Sequence, residues 1–97
     1  MKTKTEYIKL LKDQSEYLRD KYKMSDMYIF GSVARGDNNE HSDVDIFVKM
    51  PGVFYLASEA TDYLESVLGC KVDLIRDHKN LTPFFHEQVR QYGVKVF

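Results

Sequence analysis

Two aspartates one residue apart, Asp43 and Asp45, follow the pair Gly31-Ser32 by about a dozen residues. Side chains alternate across a strand, so Asp43 and Asp45 share one side, roughly 6.5–7 Å apart along it. Gly31-Ser32 comes straight after an expected strand, Asp26 to Phe30, and opens a short helical turn that stops at Gly36. Backbone N–H groups at such an opening suit phosphate. Two carboxylates beside a phosphate cradle imply a divalent cation and a nucleotide. A third acid, Asp73, lies on a later strand, on the side away from Val72 and Leu74. A modest sheet can bring it beside the first two. Three converging carboxylates repel one another unless cations neutralise them, and Mg²⁺, which takes carboxylate and phosphate oxygens, suits that role. Two such ions about 3.5–4 Å apart can clamp the attacking and leaving oxygens of an in-line phosphoryl displacement. Taken singly, an Asp-x-Asp pair is a solvated strand face and a Gly-Ser turn says little. Their order and joint occurrence point to phosphoryl chemistry.

The elements that must hold these residues are legible from periodicity. Residues 4 to 22 read as one amphipathic helix, with Thr3 and Glu6 at capping-box spacing and Ile8, Leu11, Ser15, Leu18 and Tyr22 on one face. Leu10 and Tyr17 widen that stripe, and Tyr7 and Tyr17 are expected at the core edge. In the second strand Val44, Ile46, Val48 and Met50 make an apolar face, and Asp43, Asp45, Phe47 and Lys49 make the other. Pro51-Gly52 ends it. A helix from about Phe54 to Leu68 stops at Gly69, a third strand covers Lys71 to Arg76, and Thr82-Pro83 opens a last helix to about Tyr92. Val94 to Phe97 can add a short final strand. The order predicts one α/β sandwich domain over 1–97: a small mixed sheet, helices on one face, and an open, polar face for the site.

Bulk properties narrow the function classes. With 97 residues, 43% hydrophobic and 30% charged, the chain has enough apolar content for a single core. A net charge of −1 gives no electrostatic reason to expect nucleic acid or an anionic membrane as partner. The lone Cys70 cannot form an internal disulfide, which fits a reducing cytoplasm. No apolar run approaches the ~20 residues of a membrane span, and the N-terminus leads into a polar helix, unlike a signal-peptide core.

The remaining polar residues carry weaker signals. Arg35 either reaches a phosphate or partner, or pairs with Asp37 or Glu40. Ser42 is expected to cap the turn and orient Asp43. His41 neighbours the acidic pair, but Mg²⁺ prefers oxygen ligands. His78 and His86 have no metal-ligand spacing, and Cys70 is expected to fill core space.

Gly31-Ser32-x-Ala34-Arg35-Gly36, then Ser42-Asp43-x-Asp45, with Asp73 in a Lys-Val-Asp-Leu-Ile strand, resembles the minimal nucleotidyltransferases of the polymerase-β-like superfamily. Within it, the chain is most similar to the MNT antitoxins that pair with HEPN-domain toxins. The likeness covers nearly the whole chain, including the Leu-Thr-Pro-Phe segment at 81–84 and the closing Val-Lys-Val-Phe. The resemblance implies that Asp43 and Asp45 hold both metals. Asp73 would complete the site nearest the attacking hydroxyl and help deprotonate it. Gly31 would let the backbone approach the triphosphate, where a Cβ would obstruct, and Ser32 would bind the β- and γ-phosphates. It further implies ATP as substrate, a tyrosine on the HEPN partner as acceptor, and AMPylation as the outcome.

Larger members of that superfamily add a helical domain that grips base and acceptor, and these 97 residues are expected to hold the catalytic core alone. A second protein is therefore expected to supply the acceptor and part of the pocket, while homo- or hetero-oligomerisation stays open. Two alternatives remain: a binding module that neutralises its partner by contact with an idle site, and a small-molecule nucleotidyltransferase such as one modifying an antibiotic.

Overall fold

In a computed structural model that describes residues 2–97, the elements are α1 (Lys4–Asp13), α2 (Ser15–Tyr22), β1 (Asp26–Phe30), α3 (Gly31–Arg35), β2 (Val44–Lys49), α4 (Leu56–Leu68), β3 (Val72–Arg76), α5 (Pro83–Tyr92) and β4 (Val94–Lys95). The strands form one mixed sheet in the order β3-β2-β1-β4. β1 runs antiparallel to β2 and β4, and β2 runs parallel to β3. Parallel neighbours need a crossover between them, and α4 supplies it.

β2 shows why the sequence pattern works. Val44, Ile46 and Val48 are fully buried on one side of the sheet, while Asp45 and Lys49 point to the other. The buried side joins Met27 and Ile29 of β1 to Leu11, Leu18, Leu64 and Leu68 of α1, α2 and α4 in one core. Each such fully buried aliphatic side chain contributes roughly 1.5–3 kcal/mol relative to exposure.

The expected single helix over residues 4–22 is two helices, which corrects the reading from periodicity. The chain bends at Gln14 (φ −99°, ψ 3°), whose N–H bonds back to Leu11 O at 3.1 Å. Leu11 and Leu18, seven residues apart, would also suit a straight helix, so their spacing could not reveal the bend. It lets α1 and α2 both pack on α4, and the Tyr63 hydroxyl of α4 hydrogen-bonds the Gln14 side chain at the corner. Tyr7 is buried, whereas Tyr17 stands 42% exposed against Tyr22 and Tyr63.

The helix ends follow local chemistry. Thr3 and Glu6 form the reciprocal capping box, and the Thr3 N–H donated to Glu6 holds that carboxyl below its usual range. Lys2 Nζ donates to Leu68 O at 3.0 Å, a cation at the negative end of α4. Thr82 Oγ1 accepts from Phe85 N–H at 3.1 Å and starts α5, with Pro83 in its first turn.

The second face of the sheet is not wholly open. Phe47, on the same side as Asp45, is only 3% exposed because α5 crosses above it. The Phe85 ring lies 5.7 Å from both Phe47 and Phe30. Phe47 and Val89 thus form a small apolar cluster apart from the main core, and the carboxylate end beside it stays accessible. Beyond β4 the backbone pairing continues, with Val96 N–H to Met27 O at 2.8 Å and Met27 N–H to Phe97 O at 3.0 Å. Among the described residues no helix is long and apolar enough to cross a membrane.

Candidate active site

Strand register sets the site. Asp45 pairs with Asp73 across the parallel β2–β3 ladder and with Phe30 across the antiparallel β1–β2 ladder. Paired residues on adjacent strands point to the same side, and the strands lie about 4.7–4.9 Å apart. Asp73, Asp45 and Phe30 therefore form one row across the sheet. Asp43, two residues before Asp45, sits exposed at the entry to β2. Of the three acids named from the sequence, Asp45 and Asp73 stand side by side across the sheet, and Asp43 is near enough to act on the Asp45 carboxyl. Asp45 is half-buried, and its carboxyl is pushed above the usual carboxylate range by burial first, then by Asp73 and Asp43, with Arg35 pulling the other way.

Gly31 explains how Asp45 fits. Its φ of +71° lies in the left-handed region, which a Cβ disfavours. A Cβ built there would overlap Asp45 Oδ2 and stand 3.0 Å from Asp45 Cγ. The space left by the missing side chain, expected from the family resemblance to serve the triphosphate, is taken up by the Asp45 carboxylate itself. Ser32 follows, half-buried, with its carbonyl accepting from Gly36 and Asp37 N–H groups at 2.9 and 3.1 Å. These bonds close the turn at Gly36, another left-handed residue (φ +82°).

Arg35 resolves to one of its two open readings in this state: Nε lies 3.2 Å from Asp37 Oδ2, and both side chains are well exposed. An exposed pair of this kind is worth about 0–1 kcal/mol, so Arg35 remains free to turn toward an anion. Ser42 caps the loop as expected, its Oγ accepting from Asn39 N–H at 2.9 Å and its N–H donating to Asn39 O at 3.0 Å.

The donor set fits magnesium. Three carboxylates and no nitrogen or sulfur is an oxygen-only set, and burial with two like charges disfavours the charge on Asp45, which a bound cation would favour. Among the described residues no three His, Cys, Asp or Glu side chains form a ready-made cage. Mg²⁺ rarely needs one, since it binds through one or two carboxylates plus substrate phosphates and water.

The histidines and the cysteine stand apart from this chemistry. His41 Nε2 lies 3.5 Å from Glu40 in an exposed loop. His86 Nε2 meets Asp77 Oδ1 at 2.7 Å beside the Phe47 ring, and His78 Nδ1 accepts from Asn80 N–H at 3.1 Å. Cys70 is half-buried with Sγ 3.8 Å from the Tyr7 hydroxyl, whose pKa burial pushes up.

A feature not anticipated from the sequence adjoins the row. A cavity of about 390 Å³ between α3 and α5 is lined by Phe30, Gly31, Arg35, Phe85, Gln88, Val89 and Tyr92. The signal for it was present: residues 85, 88, 89 and 92 fall at i, i+3, i+4 and i+7, one helix face. Nothing local says that this face lies against Gly31.

The family described as the nucleotidyltransferase domain matches residues 11–96. A Methanocaldococcus jannaschii protein assigned by name to the protein adenylyltransferases is 37% identical over 95 residues, 94% of this chain and 95% of its own. Among solved structures, one described as a minimal nucleotidyltransferase superposes with a TM-score of 0.76 at 27% identity over 92% of both chains. A toxin–antitoxin crystal structure with AMP-PNP gives a TM-score of 0.72 at 27% identity, over 91% of this chain and 72% of that one.

Proposed function

The chain belongs to the nucleotidyltransferase domain family, and from that premise we propose that it transfers AMP from ATP, with Mg²⁺, to a tyrosine hydroxyl of a HEPN-type toxin, acting as the antitoxin. Relatives of similar length named for protein adenylyl transfer support the donor and the reaction. The likeness to a toxin–antitoxin structure holding AMP-PNP supports the nucleotide and the kind of partner. The observation that carries the reading is the Asp45–Asp73 register beside Gly31, which gathers uncompensated carboxylates where a polyphosphate can reach them. A cytoplasmic setting, where ATP and magnesium are plentiful, goes with it.

Asp43, Asp45 and Asp73 would hold the metal, which supplies charge neutralisation at the α-phosphate and makes the acceptor hydroxyl more acidic when bound. Gly31 and Ser32 orient the β- and γ-phosphates through backbone N–H groups and the Ser32 hydroxyl. Arg35 adds a positive charge on the same side. The acceptor oxygen bonds to the α-phosphorus as the bridge to the β-phosphate breaks, and pyrophosphate leaves. Asp73, at the exposed end of the row, takes the hydroxyl proton. Positioning and electrostatics account for most of the rate.

Incubating the chain with α-labelled ATP, Mg²⁺ and its toxin tests this. Label on a toxin tyrosine, lost on chelation, is the expected result. Tight binding that silences the toxin without label would replace it by neutralisation through contact. Label on a small acceptor would replace it by small-molecule modification.

A further inference from the structure

We propose that the cavity between α3 and α5 takes the base of the nucleotide, and that Gln88 selects adenine by reading its edge. The inference rests on the nucleotide reading of the Gly31 turn and adds to it the subsite that would set base preference.

The cavity is placed for this. Gly31 and Arg35 belong both to its wall and to the turn assigned to the phosphates. Phe30, its other wall on β1, is the register partner of Asp45. A nucleotide with its α-phosphate at Asp45 would therefore have its ribose and base one strand further on, over Phe30 and toward α5. At about 390 Å³ the space falls within the range of small-molecule sites.

Its chemistry suits a base. Phe30 and Phe85 meet edge to face at 5.7 Å with an interplanar angle of 82°, so their two ring planes form a rigid apolar corner. Phe85 is fixed from behind by Phe47, and buried Val89 forms the floor. Tyr92 stands at the rim, 57% exposed, where its ring can stack on an entering base. An apolar, aromatic-walled slot beside a triphosphate site has no use for the phosphates themselves. It matches the flat, weakly polar end of the nucleotide.

Gln88 supplies discrimination. Arg35 lies at the phosphate side and the Tyr92 hydroxyl at the rim, so Gln88 is the amide of the lining, with a separate donor and acceptor held side by side to read two adjacent positions of a base edge. Its amide can accept from adenine N6–H and donate to N7. Guanine presents acceptors at both O6 and N7, so one leg of the amide would face a like partner. Loss of one such bond at a partly exposed edge is worth about tenfold in affinity.

Binding of ATP, GTP and inorganic tripolyphosphate to the full chain with Mg²⁺, measured by calorimetry, tests the proposal. ATP is expected to bind about tenfold more tightly than GTP. Gln88→Met keeps length and helix propensity but removes both hydrogen-bonding legs. It should erase that difference while tripolyphosphate binding stays unchanged. Tyr92→Ala should weaken both nucleotides alike and leave tripolyphosphate untouched. An ATP to GTP ratio unmoved by Gln88→Met, or tripolyphosphate binding that falls in parallel with the nucleotides, overturns the assignment. If wild-type chain binds tripolyphosphate as tightly as ATP, the base subsite is wrong and the phosphate reading stands. If it binds none of the three, the nucleotide reading of the Gly31 turn fails and takes this subsite with it.

Discussion

Asp45 lies where a side chain on Gly31 would have to be: its Oδ2 overlaps the position of a Cβ there, and its Cγ is 3.0 Å away. The Gly31 turn and the acidic strand are thus built against each other, and neither can be altered alone. A glycine at 31 both permits the left-handed backbone and lets the central carboxylate come in close to the turn.

Gly31→Ala should therefore damage fold and site together. The left-handed conformation alone costs about 1–2 kcal/mol for a residue with a Cβ, and Asp45 must also move. Gly36→Ala is the matched control, because it has the same backbone handedness (φ +82°) with open space around it. Thermal melts should show a loss for both variants, larger at 31, and transfer activity should disappear only for Gly31→Ala. Equal activity in the two variants would show that the Asp45 contact does not matter.

Asp43→Asn, Asp45→Asn and Asp73→Asn should each lower transfer by on the order of 10²–10³, the scale for losing a preorganised electrostatic group. None should unfold the protein, since all three side chains lie outside the core. Labelled-ATP assays read the first effect and circular dichroism the second. Retained transfer in Asp73→Asn would remove β3 from the site.

The raised pKa of Asp45 has a signed consequence for stability. Its folded carboxyl binds a proton more readily than the unfolded one, so its contribution is fully present below the unfolded pKa and is lost as pH rises through the folded value. In chelator, wild type should lose stability relative to Asp45→Asn as pH climbs from about 4 toward 7. Asp45→Asn should melt higher at neutral pH. Magnesium should close the gap by stabilising the wild type. A gap that widens toward acid would reverse the assigned cause.

Core substitutions should separate stability from chemistry. Leu64 is fully buried where α4 meets the sheet, and Leu64→Ala should cost about 2–5 kcal/mol in urea unfolding. Below the unfolding transition its transfer rate should match that of wild type. A rate that falls while the protein remains folded would couple α4 to the site.

Most of this structure is written in short-range pattern. Alternation at Val44, Ile46 and Val48 against Asp45 determined which side of β2 carries the acids. Thr3 with Glu6, Gly69 and Thr82-Pro83 marked helix ends, because caps act within one turn. The acids, the glycine turn and the serine could be put forward as a site for the same reason, since their spacing is local. What only the tertiary structure decided were relations between distant segments. The bend at Gln14 depends on α4, which lies about fifty residues further along. The use of Gly31's empty side depends on how β1 and β2 align. That Asp73 stands opposite Asp45, one strand over, is a matter of parallel register, which α4 carries across and no local period encodes. The face of α5 at 85, 88, 89 and 92 could be seen as a stripe, but its neighbour could not. Side-chain periodicity reports which way a residue points from its own element. What it meets there is determined by packing the whole core at once.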